Sequence, residues 1–341
     1  MPRLESWLAD AVTGVPVSVT EIRLIAGGRS NLTYRLTLGT GRQLVLRRPP
    51  LGHVLPTAHD MSREFRVISA LAGTDVPVAG PVAYCADVEV IGAPFYLMDY
   101  VAGQVLRTSA DTAALTAAQN AALSRGLADM LAAIHGVDVA ATGLGELGKG
   151  SGYLRRQLDR WQRQWELSKT QEVPGYDELV AKLTGRLPAE GEVTLVHGDF
   201  RIDNVLVDAD RAEPEILAVV DWEMATLGDP LADLGLTLIY WTDPGDQSFL
   251  NPSDDGLNTD ATTSPGFLTR AEFAAGYASR TGRDISLIGY YMAFAYFKLA
   301  VVLEGINARY LKQQTVGEGF DREGRAVPLL IARANQVMET L

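Results

Sequence analysis

Leu195-Val196-His197-Gly198-Asp199-Phe200-Arg201-Ile202-Asp203-Asn204-Val205-Leu206 is the stretch of this 341-residue chain on which the fold turns. A short apolar run over 193–196 delivers Asp199 to a turn. Asn204 follows before a second apolar pair. One loop of that length sets a carboxylate and a carboxamide a few ångströms apart. The first accepts a proton or a hydrogen bond, and the second offers a neutral oxygen to a hard cation.

Downstream, Leu217-Ala218-Val219-Val220 runs directly into Asp221-Trp222-Glu223. A buried strand of this kind carries a carboxylate to the rim of a cleft. Kinase catalytic loops pair an Asp and an Asn at this spacing, followed by a strand-borne Asp, for a physical reason. The first Asp accepts the attacking hydroxyl's hydrogen bond, while the Asn carbonyl and the second Asp hold Mg²⁺ on the phosphates. Either piece alone arises by chance, so the reading rests on their order behind a strand-rich N-terminal third. It predicts Asp199 as the catalytic base and Asn204 and Asp221 as metal ligands.

Working outward, 22–25 and 31–38 read as strands split by Gly27-Gly28, and 43–47 as a third after a Gly-Thr-Gly turn. A helix over 62–71 sets Phe65, Ile68 and Leu71 on one face, and 95–101 is a further strand. Beyond it the pattern turns helical over 121–135, 153–169 and 286–312. Leu154, Leu158, Trp161 and Trp165 form one stripe, which marks core or the lid of a pocket. Thr269 with Glu272 makes a capping box. The stretch 246–266 is polar, without periodicity, and reads as a loop. The fold class predicted is α+β and two-lobed, protein-kinase-like, with an antiparallel-sheet lobe over 1–101 and a mainly helical lobe over 102–341.

Composition bounds the alternatives. The formal net charge of −12 argues against nucleic acid and anionic membrane as partners, which need a basic surface. It mildly favours a cationic small molecule, although solubility alone explains it. A single cysteine, Cys85, allows no internal disulfide, which suggests a reducing, cytoplasmic setting. Residues 1–14 lack an apolar signal core. The most apolar run, 287–303, is too short to span a bilayer and is interrupted by Lys298. Four histidines without paired spacing give no zinc site. The near-Walker run 143–150 has Gly150 where Mg²⁺ needs Ser or Thr, and it follows a helix instead of a strand. His135 and His197 read as structural.

The 195–206 loop, the Asp221 segment and Gly228-Asp229-Pro230-Leu231-Ala232-Asp233-Leu234 together resemble the aminoglycoside phosphotransferase and choline kinase-like superfamily. Tyr34, the 46–50 run and the 97–101 run resemble the subgroup that also occurs as a kinase-like N-terminal domain of some acyl-CoA dehydrogenases. The resemblance implies ATP and Mg²⁺ as cofactors. Gly27, Gly28 and Ser30 would cover the phosphates. Arg47 would stand where kinases carry a phosphate-gripping lysine, with Arg48 out of phase and Glu64 as its partner carboxylate. The backbone of Asp99 and Val101 would read the adenine edge at a hinge. Asp229 and Asp233 would brace the catalytic loop. The acceptor the resemblance implies is a small-molecule hydroxyl, less often an amine: an aminoglycoside, a macrolide, choline, an amino-sugar-like alcohol or, from the acyl-CoA dehydrogenase association alone, a hydroxyacyl thioester. Two rivals stand beside this reading. One is an inactive nucleotide-binding pseudokinase, favoured only by Arg47. The other is a protein kinase, disfavoured by the missing Ala-Pro-Glu signature. Oligomeric state is not legible.

Overall fold

The computed structural model describes residues 1–14, 17–27, 31–50, 60–243, 246, 260–313 and 323–341. Helix α1 (Pro2–Leu8) lays Leu4 and Leu8 against one face of a five-stranded antiparallel sheet. The strands are β1 (Val19–Gly27), β2 (Leu32–Leu38), β3 (Gln43–Arg48), β4 (Pro81–Cys85) and β5 (Phe95–Asp99), in the spatial order β1-β2-β3-β5-β4.

Because successive side chains alternate faces, Leu44 and Leu46 of β3 join Leu36, Phe95 and Leu97 in the core under α1. Each such leucine contributes about 1.5–3 kcal/mol on burial. The opposite face carries Arg47, whose strand partners are Thr33 and Tyr96. Helix α2 (Met61–Leu71) covers that face, with Phe65 5.8 Å from the Tyr96 ring. Asp60 caps it by accepting from the Ser62 and Arg63 amides. A single turn, α3 (Val88–Ile91), links β4 to β5.

The rest is mainly helical. Short α4 (Ser109–Thr112) precedes α5 (Ala117–His135), α6 (Tyr153–Ser168) and α7 (Tyr176–Gly185). Two small hairpin-like pairs then interrupt: β6 (Thr194–Val196) pairs with β9 (Thr226–Gly228), and β7 (Val205–Asp208) pairs with β8 (Glu215–Val219). After them come α8 (Pro230–Tyr240), α9 (Arg270–Thr281), α10 (Ile288–Leu311) and α11 (Glu323–Glu339).

One core gathers α5, α9 and the small strands, and it includes Met61, Ile68 and Tyr96 from the sheet lobe. The lobes therefore share buried surface and are not two beads on a string. A second core binds α6, α7, α8, α10 and α11. Gly235 lets α8 meet α10 closely, since a Cβ there would lie 2.7 Å from the Tyr291 carbonyl carbon.

The two-lobed α+β architecture agrees with the sequence reading, but the elements are not all as expected. Helix α5 starts earlier, at a Thr116–Gln119 capping box. Helices α1, α7, α8 and α11 and strand β4 had no sequence signal strong enough to be read. The end of the 246–266 stretch is not loop: Asp260–Thr263 forms a 3₁₀ turn with Ala261 buried. Asp260 pins it by accepting from the Ser109 amide at 2.7 Å and the Ser109 hydroxyl at 2.6 Å. Among the described residues no helix is long and apolar enough to cross a membrane.

Candidate active site

The loop after β6 is held from below by α8. Asp233 accepts from the backbone N–H of His197 at 2.7 Å and of Gly198 at 2.8 Å. Gly198 has φ +83°, and a Cβ there would sit 2.7 Å from the Met224 carbonyl oxygen, so only glycine fits. His197 is structural. Its Nε2 donates to the Val220 carbonyl at 2.9 Å, and its Nδ1 accepts from the Asp199 amide at 3.3 Å. Its ring lies 4.6 Å from Trp222. One imidazole thus ties the Asp199 loop to the segment carrying Asp221.

Asn204 Nδ2 donates to the Asp199 carbonyl at 2.8 Å and to Asp199 Oδ2 at 3.2 Å. The Asn204 side-chain oxygen, Oδ1, takes no part in these bonds. The Val220 amide donates to the Asn204 backbone carbonyl at 2.9 Å, which fixes the two short loops to each other. Asp221 follows in the left-handed region at φ 65°. That conformation is costly for a residue other than glycine and recurs where a side chain must be presented to a site.

Arg47 reaches Asp221 from the sheet lobe. Its Nε lies 3.0 Å from Glu64 Oε1, its Nη1 donates to Thr33 Oγ1 at 3.3 Å, and its Nη2 contacts Asp221 Oδ1. Burial works against the charge of Arg47, but Glu64 and Asp221 outweigh it and hold the guanidinium above its ordinary pKa. Burial pushes the Glu64 carboxyl up, against the pull of Arg47. Arg48, on the opposite face, donates to the Pro49 and Ile91 carbonyls instead.

These groups line one cleft between the lobes. Arg47, Glu64, Asn204 and Asp221 face it together with the backbone stretch from Asp99 to Val101. The Asp99 side chain turns away to Arg42, at 2.9 Å, so only its backbone is available to the cleft. Gly27 ends β1. Gly28 and Ser30 lie outside the described residues.

The donor set fits a hard divalent cation. A carboxamide oxygen and a carboxylate are oxygen ligands of the kind Mg²⁺ takes, and Mg²⁺ typically completes its shell with phosphate oxygens and water. Among the described residues no group of three or more His, Cys, Asp or Glu is arranged to hold a metal alone. Asp199, half-buried, has its pKa raised by burial, an effect that Arg201, Lys298 and His197 only partly offset. A carboxylate so tuned is better suited to take a proton from a hydroxyl than a free aspartate is.

Further side chains support the site, among them His135 and Asp229, which the sequence reads as structural and as a brace. His135, at the end of α5, accepts from the Tyr277 hydroxyl at 2.7 Å and donates to Asp233 at 3.2 Å. Asp229 caps α8 and accepts from the Tyr291 hydroxyl at 2.8 Å. Asn31 donates to Glu223 at 2.9 Å. Lys298 donates to the Gly198 carbonyl at 3.0 Å. Its only sequence mark is that it breaks the apolar run of α10. Cys85 is buried in the sheet core, and burial pushes its thiol up, away from reactivity.

The profile of the phosphotransferase enzyme family matches residues 21–268, which hold Arg47, Glu64, Asp199, Asn204 and Asp221. The chain belongs to that family. A solved Ralstonia eutropha chain, provisionally assigned as an aminoglycoside phosphotransferase, shares 33% identity over 99% of this chain and 98% of its own, with a TM-score of 0.83. A phosphotransferase of the 2″-aminoglycoside type, solved with GDP and kanamycin, has the same fold at 15% identity, covering 98% of each chain with a TM-score of 0.64. Among curated relatives, acyl-CoA dehydrogenase family member 10 of Mus musculus is 35% identical over 94% of this chain and 30% of its own length. Family member 11 of Gallus gallus is 35% identical over 99% and 43%. This phosphotransferase-family chain thus spans less than half the length of the curated relatives it matches.

Proposed function

We propose that this chain transfers the γ-phosphoryl group of magnesium-bound ATP to the hydroxyl of a small molecule. The observation that carries the reading is that Asn204 and Asp221 line one cleft with the Arg47–Glu64 pair, while the Asn204–Asp199 hydrogen bonds hold Asp199 beside that cleft without its lining it and the Val220–Asn204 bond joins the two loops. Residues 1–101 would form the nucleotide-binding lobe and 102–341 the lobe carrying the acceptor.

Asp199 would orient the acceptor hydroxyl and take its proton as the new O–P bond forms and the bond between the γ-phosphorus and the β,γ-bridging oxygen breaks, leaving ADP. Asn204, through its amide, fixes the Asp199 carboxylate in place. Mg²⁺, when bound by Asn204 and Asp221, supplies charge neutralisation on the phosphates. Arg47 would turn its guanidinium from Asp221 towards phosphate oxygens, with Glu64 holding the other edge of the fork. The backbone at Asp99 and Val101 would read the adenine edge, and Gly27, Gly28 and Ser30 would close over the phosphates.

The names of the matched relatives add a candidate acceptor class, a hydroxyacyl thioester, beside aminoglycosides and choline-like alcohols. One observation favours a second reading, an inactive nucleotide-binding module: the usual lysine position holds Arg47, which is engaged with Asp221. An ATP-consumption screen over simple alcohols, aminoglycosides and hydroxyacyl-CoA separates the two. Acceptor-dependent ADP release that is lost in Asp199→Ala supports transfer. Turnover that survives this change removes Asp199 from its role, and nucleotide binding with no turnover on any acceptor favours the inactive module.

A further inference from the structure

The loop that presents Asp199 also borders a second cavity, of about 590 Å³, between α6 and α10. Its walls are apolar where Met61, Trp161 and Phe294 line it, and its charges are unequal. Three cations, Arg63, Arg160 and Lys298, face two carboxylates, Asp60 and Glu223. Both carboxylates are already engaged. Asp60 accepts from the Ser62 and Arg63 amides as the cap of α2. Glu223 accepts from Asn31 at 2.9 Å and lies 4.0 Å from Arg47.

The cations are matched differently. Lys298 spends one N–H on the Gly198 carbonyl, and among the described residues no carboxylate lies within ion-pair distance of it. Arg160 rests its guanidinium 5.1 Å from the Trp161 ring centre, again with no ion pair among the described residues. Burial lowers the Lys298 pKa, although Asp199 and Asp233 act against that. A half-buried ammonium bonded to a neutral carbonyl and an exposed guanidinium stand at the mouth of one cavity with N–H groups left for an anion, while Asp199 and Asp233 act on Lys298 only from beyond ion-pair distance. The overall charge of −12 does not extend to this pocket.

We propose that this cavity takes an anionic acceptor, a hydroxylated molecule whose carboxylate or phosphate is held by Arg160 and Lys298 while its carbon skeleton lies along Trp161 and Phe294. The word acceptor rests on the phosphotransferase reading; the anion subsite does not. It reverses the preference that the net charge of the chain suggests, and it sets the pocket against a polycationic sugar or choline.

Equilibrium binding to the full chain, followed by calorimetry, tests it with two pairs that differ in charge: 3-hydroxybutyrate against 3-hydroxybutyramide, and glycerol 3-phosphate against glycerol. Choline and kanamycin serve as cationic probes. The anionic member of at least one pair is expected to bind about tenfold or more tighter than its neutral partner, the size of one charge-assisted hydrogen bond. The pair that responds distinguishes carboxylate from phosphate. Arg160→Gln is expected to remove most of that margin, and Arg160→Lys to restore part of it. Arg160 is exposed, so its variants are expected to fold, and a thermal melt confirms this. No charge preference in either pair, tighter binding of choline or kanamycin, or anion binding unchanged in Arg160→Gln would each overturn the proposal. ATP turnover is measured separately. Anion-selective binding without turnover sustains the subsite and counts against phosphoryl transfer, whereas turnover of choline or kanamycin does the reverse.

Discussion

Arg47 holds Glu64 with one edge of its fork and touches Asp221 with the other, so it joins α2, the sheet and the Asp221 segment in one contact set. Truncating it strands the Glu64 carboxylate, which is only 2% exposed, inside the protein. Arg47→Ala is therefore expected to cost about 3–5 kcal/mol in urea unfolding. Arg47→Lys should lose less, because charge remains although the fork is gone. At Asp199, burial raises the pKa, so the acid limb of acceptor-dependent turnover is expected at higher pH than a free aspartate would give. Lys298→Met should move that limb further up, since a cation favouring the ionised carboxylate is lost. A pH–rate profile of both proteins reads this directly, and a limb that does not move would separate Lys298 from Asp199. Part of this scale was legible in the chain itself. Strand alternation separates Arg47 from Arg48, and the spacing of Asp199 and Asn204 sets their contact. The Arg47–Asp221 contact was not legible, because nothing local says which carboxylate from the far lobe a guanidinium will meet.

Helix α8 shows what an element contributes without touching a ligand. Capped by Asp229 and opened by Pro230, it aims Asp233 at the backbone of His197 and Gly198. Asp233→Asn keeps the shape but exchanges an ionised acceptor for an amide in a fully donor-lined site. It is expected to cost about 3 kcal/mol, read as a lower urea midpoint at unchanged slope. His135, packed on the same carboxylate, has its pKa lowered by burial below the ordinary 6.5. The unfolded chain then binds a proton that the folded chain refuses, so stability is complete above pH 6.5 and falls as the pH drops below it. His135→Gln should flatten that part of the profile, and urea unfolding at pH 7 and pH 5 checks it. If the slope is unchanged, His135 is not its source. Helix α8 escaped the sequence reading because it is buried nearly all round and so has no polar stripe to reveal its period. Helix α11 escaped for another reason: Pro328 lies inside it and reads as a breaker.

At the scale of the molecule, the two lobes share one core while the cleft between them collects residues from both. The two-lobed class was readable because its punctuation is coarse: strands first, helices after, and two short apolar runs, one leading through His197-Gly198 to Asp199 and one directly into Asp221. The excess of cationic side chains around the second cavity was not, since it depends on α6 and α10 meeting across it. A ligand bridging the lobes should stabilise the whole chain. Saturation with MgATP at a hundred times its Kd is expected to add about 2.7 kcal/mol. EDTA should remove most of this gain in a thermal melt, and a gain indifferent to EDTA would argue against metal at Asn204 and Asp221. The central claim is best tested by a crystal structure with Mg²⁺ and a non-hydrolysable ATP analogue. The prediction is an ion bound by the Asn204 carbonyl oxygen and the Asp221 carboxylate, with Arg47 turned to the phosphates and Asp199 open to the second cavity. A nucleotide bound away from this cleft, or an ion that leaves Asn204 and Asp221 untouched, would contradict it.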